Sequence, residues 1–259
     1  MPRPVTITNR VFPTSSEVAF AAAELFASTV AAAVEERGLA RVAISGGSTP
    51  KVVFALLADP AQPFLASIPW AKLQLFWVDE RCVAPTEPDS NYRMTNEQML
   101  SKVPLPAENI HRMEGELDPE VAAARYESDI RNTFKLEGAE TPTFDLILLG
   151  MGDDGHTASL FPHTEGLDAI APIVIANHVP QKDTWRISLT WPVINQGREV
   201  AFLIEGAAKA DVLHAVFTGP YQPETYPSQL IRPASGRLTL LLDAGAASKL
   251  PAGDTIRLS

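Results

Sequence analysis

Two rhythms of apolar and polar positions run along the chain. Ser15 or Ser16 can cap a helix that runs to about Arg37. Within it Val18, Ala22, Leu25, Thr29 and Ala33 recur at three-to-four spacing, and Gly38 follows its end. That spacing predicts an amphipathic helix with a glycine stop. A second helical rhythm begins at Pro50 and ends near Ala58, with Val53, Leu56 and Leu57 on one face. Other runs are apolar almost throughout: "ARVAIS", "LQLFWVD", "FDLILLG", "RISLT", "EVAFLIEG" and "RLTLLLD". A strand covered on both faces reads this way, because neither set of alternating side chains meets water. Helical segments, "PEVAAARYESDIRNTF" and "AAKADVLHAVF", lie between some of these runs. Strands alternating with helices predict an α/β fold: a doubly wound, mostly parallel sheet with helices on both faces.

In such sheets ligands bind beyond the carboxyl ends of the strands, so the segments just after the apolar runs are where chemistry is expected. Four of them carry polar or glycine-rich text: "SGGSTP", "DERCV", "GMGDDGHTASLFP" and "EGAAKADV". No internal repeat, low-complexity linker or block of like charge divides the 259 residues, so residues 1–259 are expected to form a single domain. A net charge of −10 argues against general nucleic-acid binding, which draws its affinity from an excess of Lys and Arg. A small anionic ligand needs only local positive charge and stays open. Cys82 is the one cysteine, which excludes an internal disulfide. The N-terminal "MPRPVTITNR" lacks a signal peptide's apolar core, and the apolar stretch after it is interrupted by Glu24. A soluble cytoplasmic protein with no membrane partner is the expectation.

Each strand end suggests chemistry of its own. In "SGGSTP", Gly46 and Gly47 let an anion approach the backbone, Ser45, Ser48 and Thr49 offer hydroxyls, and Pro50 suits the first turn of a helix whose amides point at the ligand. Thr49 could instead cap a plain strand-to-helix turn. The lysine of a Walker loop is absent. In "DERCV", Arg81 can clamp a phosphate or carboxylate and Asp79 can face a substrate. Gly150, Gly152 and Gly155 have the spacing of a dinucleotide-binding loop. Asp153 and Asp154 would repel a pyrophosphate there, and "PIVIANHV" lacks the expected acidic residue about 20 positions on. What remains is Asp154-Gly155-His156 at an expected strand-to-helix junction. A helix N-terminus would disfavour the imidazolium and keep His156 available as a neutral base.

His111, His163, His178 and His214 show no metal-ligand spacing, so no metal is expected. The absence of GxSxG and of a cysteine nucleophile motif argues against covalent acyl transfer. Lys209, early in a helix after a strand, could supply a point charge to a phosphate, and Lys182 and Arg186 are further cations. Arg232 stands in a proline-bounded loop before the last apolar run.

Taken in order, "SGGSTP", "WVDERCV…DSNYRMT", "LLGMGDDGHTASLFP", "RISLTWPVIN" and "EGAAKADV" resemble the 6-phosphogluconolactonase family, whose wider superfamily includes glucosamine-6-phosphate deaminase/isomerase. The deaminase has Asp-Glu-Tyr where this chain has Asp79-Glu80-Arg81, and a glutamate five residues after the histidine where this chain has Phe161. A phenyl ring cannot relay a proton, which favours the lactonase branch. The resemblance implies hydrolysis of 6-phospho-D-glucono-1,5-lactone in the oxidative pentose phosphate pathway, with no cofactor. It implies phosphate binding by Ser45, Gly46, Gly47, Ser48, Thr49, Arg81, Lys209 and Arg186. It further implies catalysis by His156 with Asp154 or Asp79 orienting it, in a monomer or small homo-oligomer. Two alternatives stay open: a deaminase/isomerase, tested by ammonia release, and a non-catalytic sugar-phosphate sensor, which would carry a basic DNA-binding segment not evident here.

Overall fold

The computed structural model describes residues 5–234 and 236–258; residues 1–4 and 259, the ends of the expected 1–259 domain, lie outside it. Eleven strands occur among the described residues: β1 (Val5–Phe12), β2 (Ala40–Ile44), β3 (Leu73–Trp77), β4 (Asp79–Arg81), β5 (Ile110–His111), β6 (Leu146–Leu149), β7 (Val174–Val179), β8 (Thr184–Leu189), β9 (Glu199–Ile204), β10 (Arg237–Asp243) and β11 (Thr255–Leu258). The α-helices are α1 (Ser15–Arg37), α2 (Ser48–Ala58), α3 (Phe64–Ser67), α4 (Asn91–Thr95), α5 (Pro119–Phe134), α6 (Trp191–Ile194) and α7 (Ala210–Thr218).

Eight strands form one sheet in the order β11-β1-β10-β9-β6-β2-β3-β5, parallel except for β11. Side-chain alternation along these strands splits the core into two layers. Leu146 and Leu148 of β6 join α1 and α2 on one face, whereas Ile147 and Leu149 join α5 and α7 on the other. Helices therefore cover both faces, as a doubly wound sheet requires. The long apolar helix α1 has the length and composition to cross a membrane, but it packs on the sheet through fully buried Val18, Ala22, Phe26, Val30 and Ala33. Its cap is Thr14 rather than Ser15 or Ser16. Thr14 accepts from the Glu17 amide while Glu17 accepts from the Thr14 amide, a closed capping box. Gly38 ends it at φ 81°.

Several elements depart from the sequence expectations. β1 alternates polar and apolar residues and reads too weakly to register as a buried strand, yet it pairs with β10. "LQLFWVD" divides after Trp77, and Asp79–Arg81 turns away as β4. "RISLT" belongs not to the main sheet but, as part of β8, to a separate antiparallel sheet ordered β4-β8-β7. Tyr126 of α5 holds that branch point. Its hydroxyl accepts from the Trp77 amide at 2.8 Å and donates to the Trp77 carbonyl at 3.0 Å, supplying the partners that backbone loses where the strand leaves the ladder.

The chain steps outward from β2 to β3 and β5, returns beside β2 as β6, and then steps the other way to β9 and β10. The order of connection reverses between β2 and β6. A crevice opens beyond their carboxyl ends, and the segments that follow them, Ser45–Thr49 and Gly150–His156, face each other across it.

Candidate active site

A cavity of about 320 Å³ occupies this crevice, with α2, β4, β8 and the segment after β9 around it. Every residue expected to bind or catalyse lines it except Asp154, which stands behind His156.

The loop after β6 closes on itself. The Gly152 amide donates to the His156 carbonyl at 2.9 Å, the Gly155 amide to the Gly152 carbonyl at 3.1 Å, and Thr157 Oγ1 to the Gly150 carbonyl at 2.8 Å. With its polar backbone satisfied internally the segment does not continue as a helix; a turn and an isolated bridge between Thr157 and Leu160 follow instead. The expected helix N-terminus at His156 is therefore absent, and with it the dipole argument for disfavouring the imidazolium. The opposite influence is present: His156 Nδ1 lies 2.5 Å from Asp154 Oδ1. Burial pushes the Asp154 carboxyl up, but the hydrogen bond and charge of His156 outweigh it and hold Asp154 at about 2. An ionised Asp154 accepting from Nδ1–H fixes the tautomer that leaves Nε2 with a lone pair.

The imidazole is clamped from other directions. The Phe161 ring stacks on it with centroids 3.9 Å apart and planes 22° from parallel. A Cβ at Gly152 would lie 2.0 Å from Nδ1 and 2.1 Å from Cε1. The glycine spacing that mimics a dinucleotide loop thus has a local cause: Gly152 makes room for the His156 ring, and Gly155 takes φ 77° in the turn.

Asp79, the other carboxylate offered as a partner for His156, is instead bound by Ser159, whose hydroxyl donates to it at 2.7 Å. It faces the cavity and is 7% exposed. Glu80, given no role in the sequence reading, is a buried bracket. It accepts from the amides of Arg81, Asn91 and Tyr92 and from the Ser90 hydroxyl, tying α4 to β4. Burial raises its pKa and the three amides pull it back. Asn91, so placed, donates from its amide group to the Asp79 carbonyl and lies over Gly46, where a Cβ would sit 1.8 Å from Asn91 Oδ1. Gly46 is required for that close approach.

The anion cradle is present with one adjustment. Gly47, at φ 115°, caps α2 without any side-chain hydrogen bond, so the first-turn amides of this 11-residue helix face the cavity uncapped. Thr49 lies within the helix and does not cap it. Ser45 lines the cavity but commits its hydroxyl proton to the Leu148 carbonyl at 2.8 Å. It joins β2 to β6 and keeps only acceptor capacity, which is of no use to a phosphate dianion.

Arg81 and Arg186 are direct cross-strand partners on β4 and β8. Like charges placed opposite each other destabilise a strand pair unless an anion lies between them. Burial lowers the Arg186 pKa and the neighbouring Arg81 charge lowers it further. Lys209, in a single turn before α7 rather than inside it, donates to the Met151 carbonyl at 2.9 Å and pairs with Asp153 at 2.5 Å. Lys182 and Glu205 complete the charged lining. Among the described residues no group of three or more His, Cys, Asp or Glu side chains could hold a metal. Arg232 is away from this cavity lining, with its guanidinium 4.8 Å from the Tyr221 ring centroid.

The family model described as glucosamine-6-phosphate isomerases/6-phosphogluconolactonase matches residues 13–240. The chain belongs to this family. A 6-phosphogluconolactonase from Synechocystis is 42% identical over 219 residues, covering 84% of this chain and 88% of its own. One from Haemophilus influenzae is 38% identical over 209 residues, covering 81% and 87%. Among solved structures, 6-phosphogluconolactonase from Trypanosoma cruzi superposes with a TM-score of 0.83 at 27% identity, covering 95% of this chain and 97% of that one. A monomeric glucosamine-6-phosphate deaminase at 19% identity and a TM-score of 0.76 shares the fold. Within the family's two branches, the side chain stacked on His156 here is the phenyl ring of Phe161 and not an acid.

Proposed function

We propose that the chain hydrolyses 6-phospho-D-glucono-1,5-lactone to 6-phospho-D-gluconate, the lactone-opening step of the oxidative pentose phosphate pathway, in the cytoplasm. The observation that carries this reading is His156, backed by Asp154, in the lining of a cavity that also holds two cross-strand arginines and an uncapped helix start. The substrate has matching ends: a phosphate dianion at C6 and an electrophilic ester carbon at C1.

The phosphate lies between Arg81 and Arg186 with the amides of Gly47 to Thr49 and the Lys209 ammonium around it. Its charge relieves the repulsion between the two arginines. Binding energy gained there holds C1 beside His156. His156 Nε2 takes a proton from water as the water oxygen bonds to C1, and Asp154 stabilises the imidazolium that forms. As the tetrahedral intermediate collapses, the bond from C1 to the ring oxygen breaks and His156 returns its proton to that oxygen. Such acid-base transfer accounts for about 10² to 10⁴ in rate. Asp79, held by Ser159, is placed to accept from a sugar hydroxyl.

The test is to offer the purified protein both branch substrates. Fast proton release from the freshly made lactone, without ammonia release from glucosamine 6-phosphate, is expected. Ammonia release with no acceleration of lactone opening would reverse the assignment.

A further inference from the structure

The segment "DSNYRMT" contributes Asn91 to the cavity lining, and neither phosphate binding nor proton transfer at His156 gives that side chain a task. Asn91 is 3% exposed and held along its backbone. Its amide donates to Glu80 Oε1 at 2.8 Å, its carbonyl accepts from Thr95 Oγ1 at 2.8 Å, and the preceding Ser90 donates to Glu80 Oε2 while accepting from the Arg93 amide. The carboxamide is fixed as well, because its Nδ2 donates to the Asp79 carbonyl at 2.9 Å. A backbone carbonyl can only accept, so this bond decides which end of the carboxamide is nitrogen and which is oxygen.

The oxygen end is left over. Oδ1 lies against Gly46, 1.8 Å from where a Cβ would stand, and makes no hydrogen bond with a described residue. Other side-chain polar atoms without a partner, such as Trp77 Nε1 and Ser228 Oγ, are sealed within the protein; Asn91 Oδ1 is not, and its opening is into the cavity. When a ligand displaces water there, an acceptor so placed costs free energy unless a donor meets it. That donor is not the phosphate, since a dianion offers only acceptors and a carbonyl oxygen beside it is repulsive. Asn91 Oδ1 therefore stands at the edge of the anion cradle, where the ligand must change from acceptor to donor. In a phosphorylated 1,5-lactone that change comes at the ring. The first hydroxyl met from the C6 phosphate arm is on C4, because the C5 oxygen is closed in the ring.

We infer that Asn91 is a specificity-determining residue, its Oδ1 accepting a hydrogen bond from the C4 hydroxyl of the lactone. The inference rests on the proposed lactonase reading and adds a substrate contact to it. Because the carboxamide is already oriented, the bond forms without ordering a side chain. A substrate that lacks the hydroxyl leaves Oδ1 desolvated and unpaired, and is rejected for that reason.

The experiment compares freshly generated 6-phosphogluconolactone with its 4-deoxy analogue, for the parent, Asn91→Ala and Asn91→Asp. The parent should prefer the hydroxylated substrate by about tenfold or more in kcat/KM. In Asn91→Ala that preference should shrink to within about threefold, while affinity for inorganic phosphate, read by NMR titration, stays unchanged. Asn91→Asp keeps an oxygen against Gly46 and should retain the preference even where its overall rate is lower. The preference is a ratio within one preparation, so a loss of folded protein cancels from it. A preference that survives in Asn91→Ala, or a parent with none, would overturn the inference and leave Asn91 as a bracket between α4 and β4. Weakened phosphate binding with the preference intact would overturn it too, by making Asn91 part of the cradle. A parent that opens neither lactone faster than the blank would instead remove the lactonase reading, and this inference with it.

Discussion

Gly152→Ala is a steric test of how tightly the imidazole must be held. Gly152 is not among the glycines with positive φ, so its backbone accepts alanine and only the added methyl matters. That methyl would begin 2.0 Å from His156 Nδ1, 2.1 Å from Cε1 and 2.6 Å from Asp154 Oδ1. Ordinary carbon contacts begin near 3.5 Å, so the ring must retreat by about 1.5 Å. Phe161 already packs on one face of the ring, and Asp154 is struck at the same time. A misplacement of about 1 Å can cost 10²-fold in rate, so kcat should fall about 100-fold. The phosphate cradle lies on other strand ends, so KM should stay within about threefold. The overpacking should cost about 1 to 3 kcal/mol in stability, measured by urea unfolding. Steady-state proton release under saturating lactone gives kcat. Parent-like kcat in a folded Gly152→Ala protein would show that turnover tolerates a displaced ring, and the clamped-imidazole account would be wrong.

Three further outcomes are expected. Arg186→Gln should raise KM for the phosphorylated lactone at least tenfold while leaving the ligand-free protein as stable or up to about 1 kcal/mol more stable, because the opposed Arg81 loses its like-charge neighbour; a clear loss of stability would contradict the repulsion argument. Tyr126→Phe leaves the buried Trp77 amide and carbonyl unpaired and should cost about 3 kcal/mol, or roughly 6 to 12 °C in Tm by calorimetry; an unchanged Tm would mean that the branch point is held elsewhere. Asp154 has a folded pKa of about 2, below its ordinary 3.8, so its contribution to stability is present above pH 3.8 and is lost as pH falls toward 2. The shift alone corresponds to about 2.5 kcal/mol, reduced to about 1 kcal/mol because the carboxylate is 46% exposed. Asp154→Asn should therefore be about 1 kcal/mol less stable than the parent at pH 6, with most of that gap gone at pH 2; a gap at pH 2 as large as at pH 6 would place the effect outside this titration.

The legible parts of the fold are those where burial leaves no choice of residue. β2, β3, β6, β9 and β10 are covered on both faces, so their apolar runs and the parallel sheet can be read directly. β1 is hard to read because it alternates, and the sheet that β8 joins is hidden because an apolar run does not reveal its pairing partner. At the site, His156, Arg81, Arg186, Lys209 and the glycine-serine turn could be picked out because polar residues after buried strands are conspicuous. The contacts that give them their roles were not legible. Asp154 rather than Asp79 touches His156, and Ser45 spends its proton on β6, two relations that depend on loop closure and strand docking. The helix expected after His156 failed for a related reason: the loop satisfies its own amides, which residue propensity does not encode.

The central claim is that His156 opens the lactone as general base and acid. It is tested most directly by proton release on adding freshly generated 6-phosphogluconolactone, at a pH where spontaneous hydrolysis is slow, to the parent and to His156→Ala. The account predicts fast release by the parent and at least a 100-fold lower kcat in the variant, with KM little changed. Equal release by both proteins would contradict it, as would release by the parent no faster than the blank.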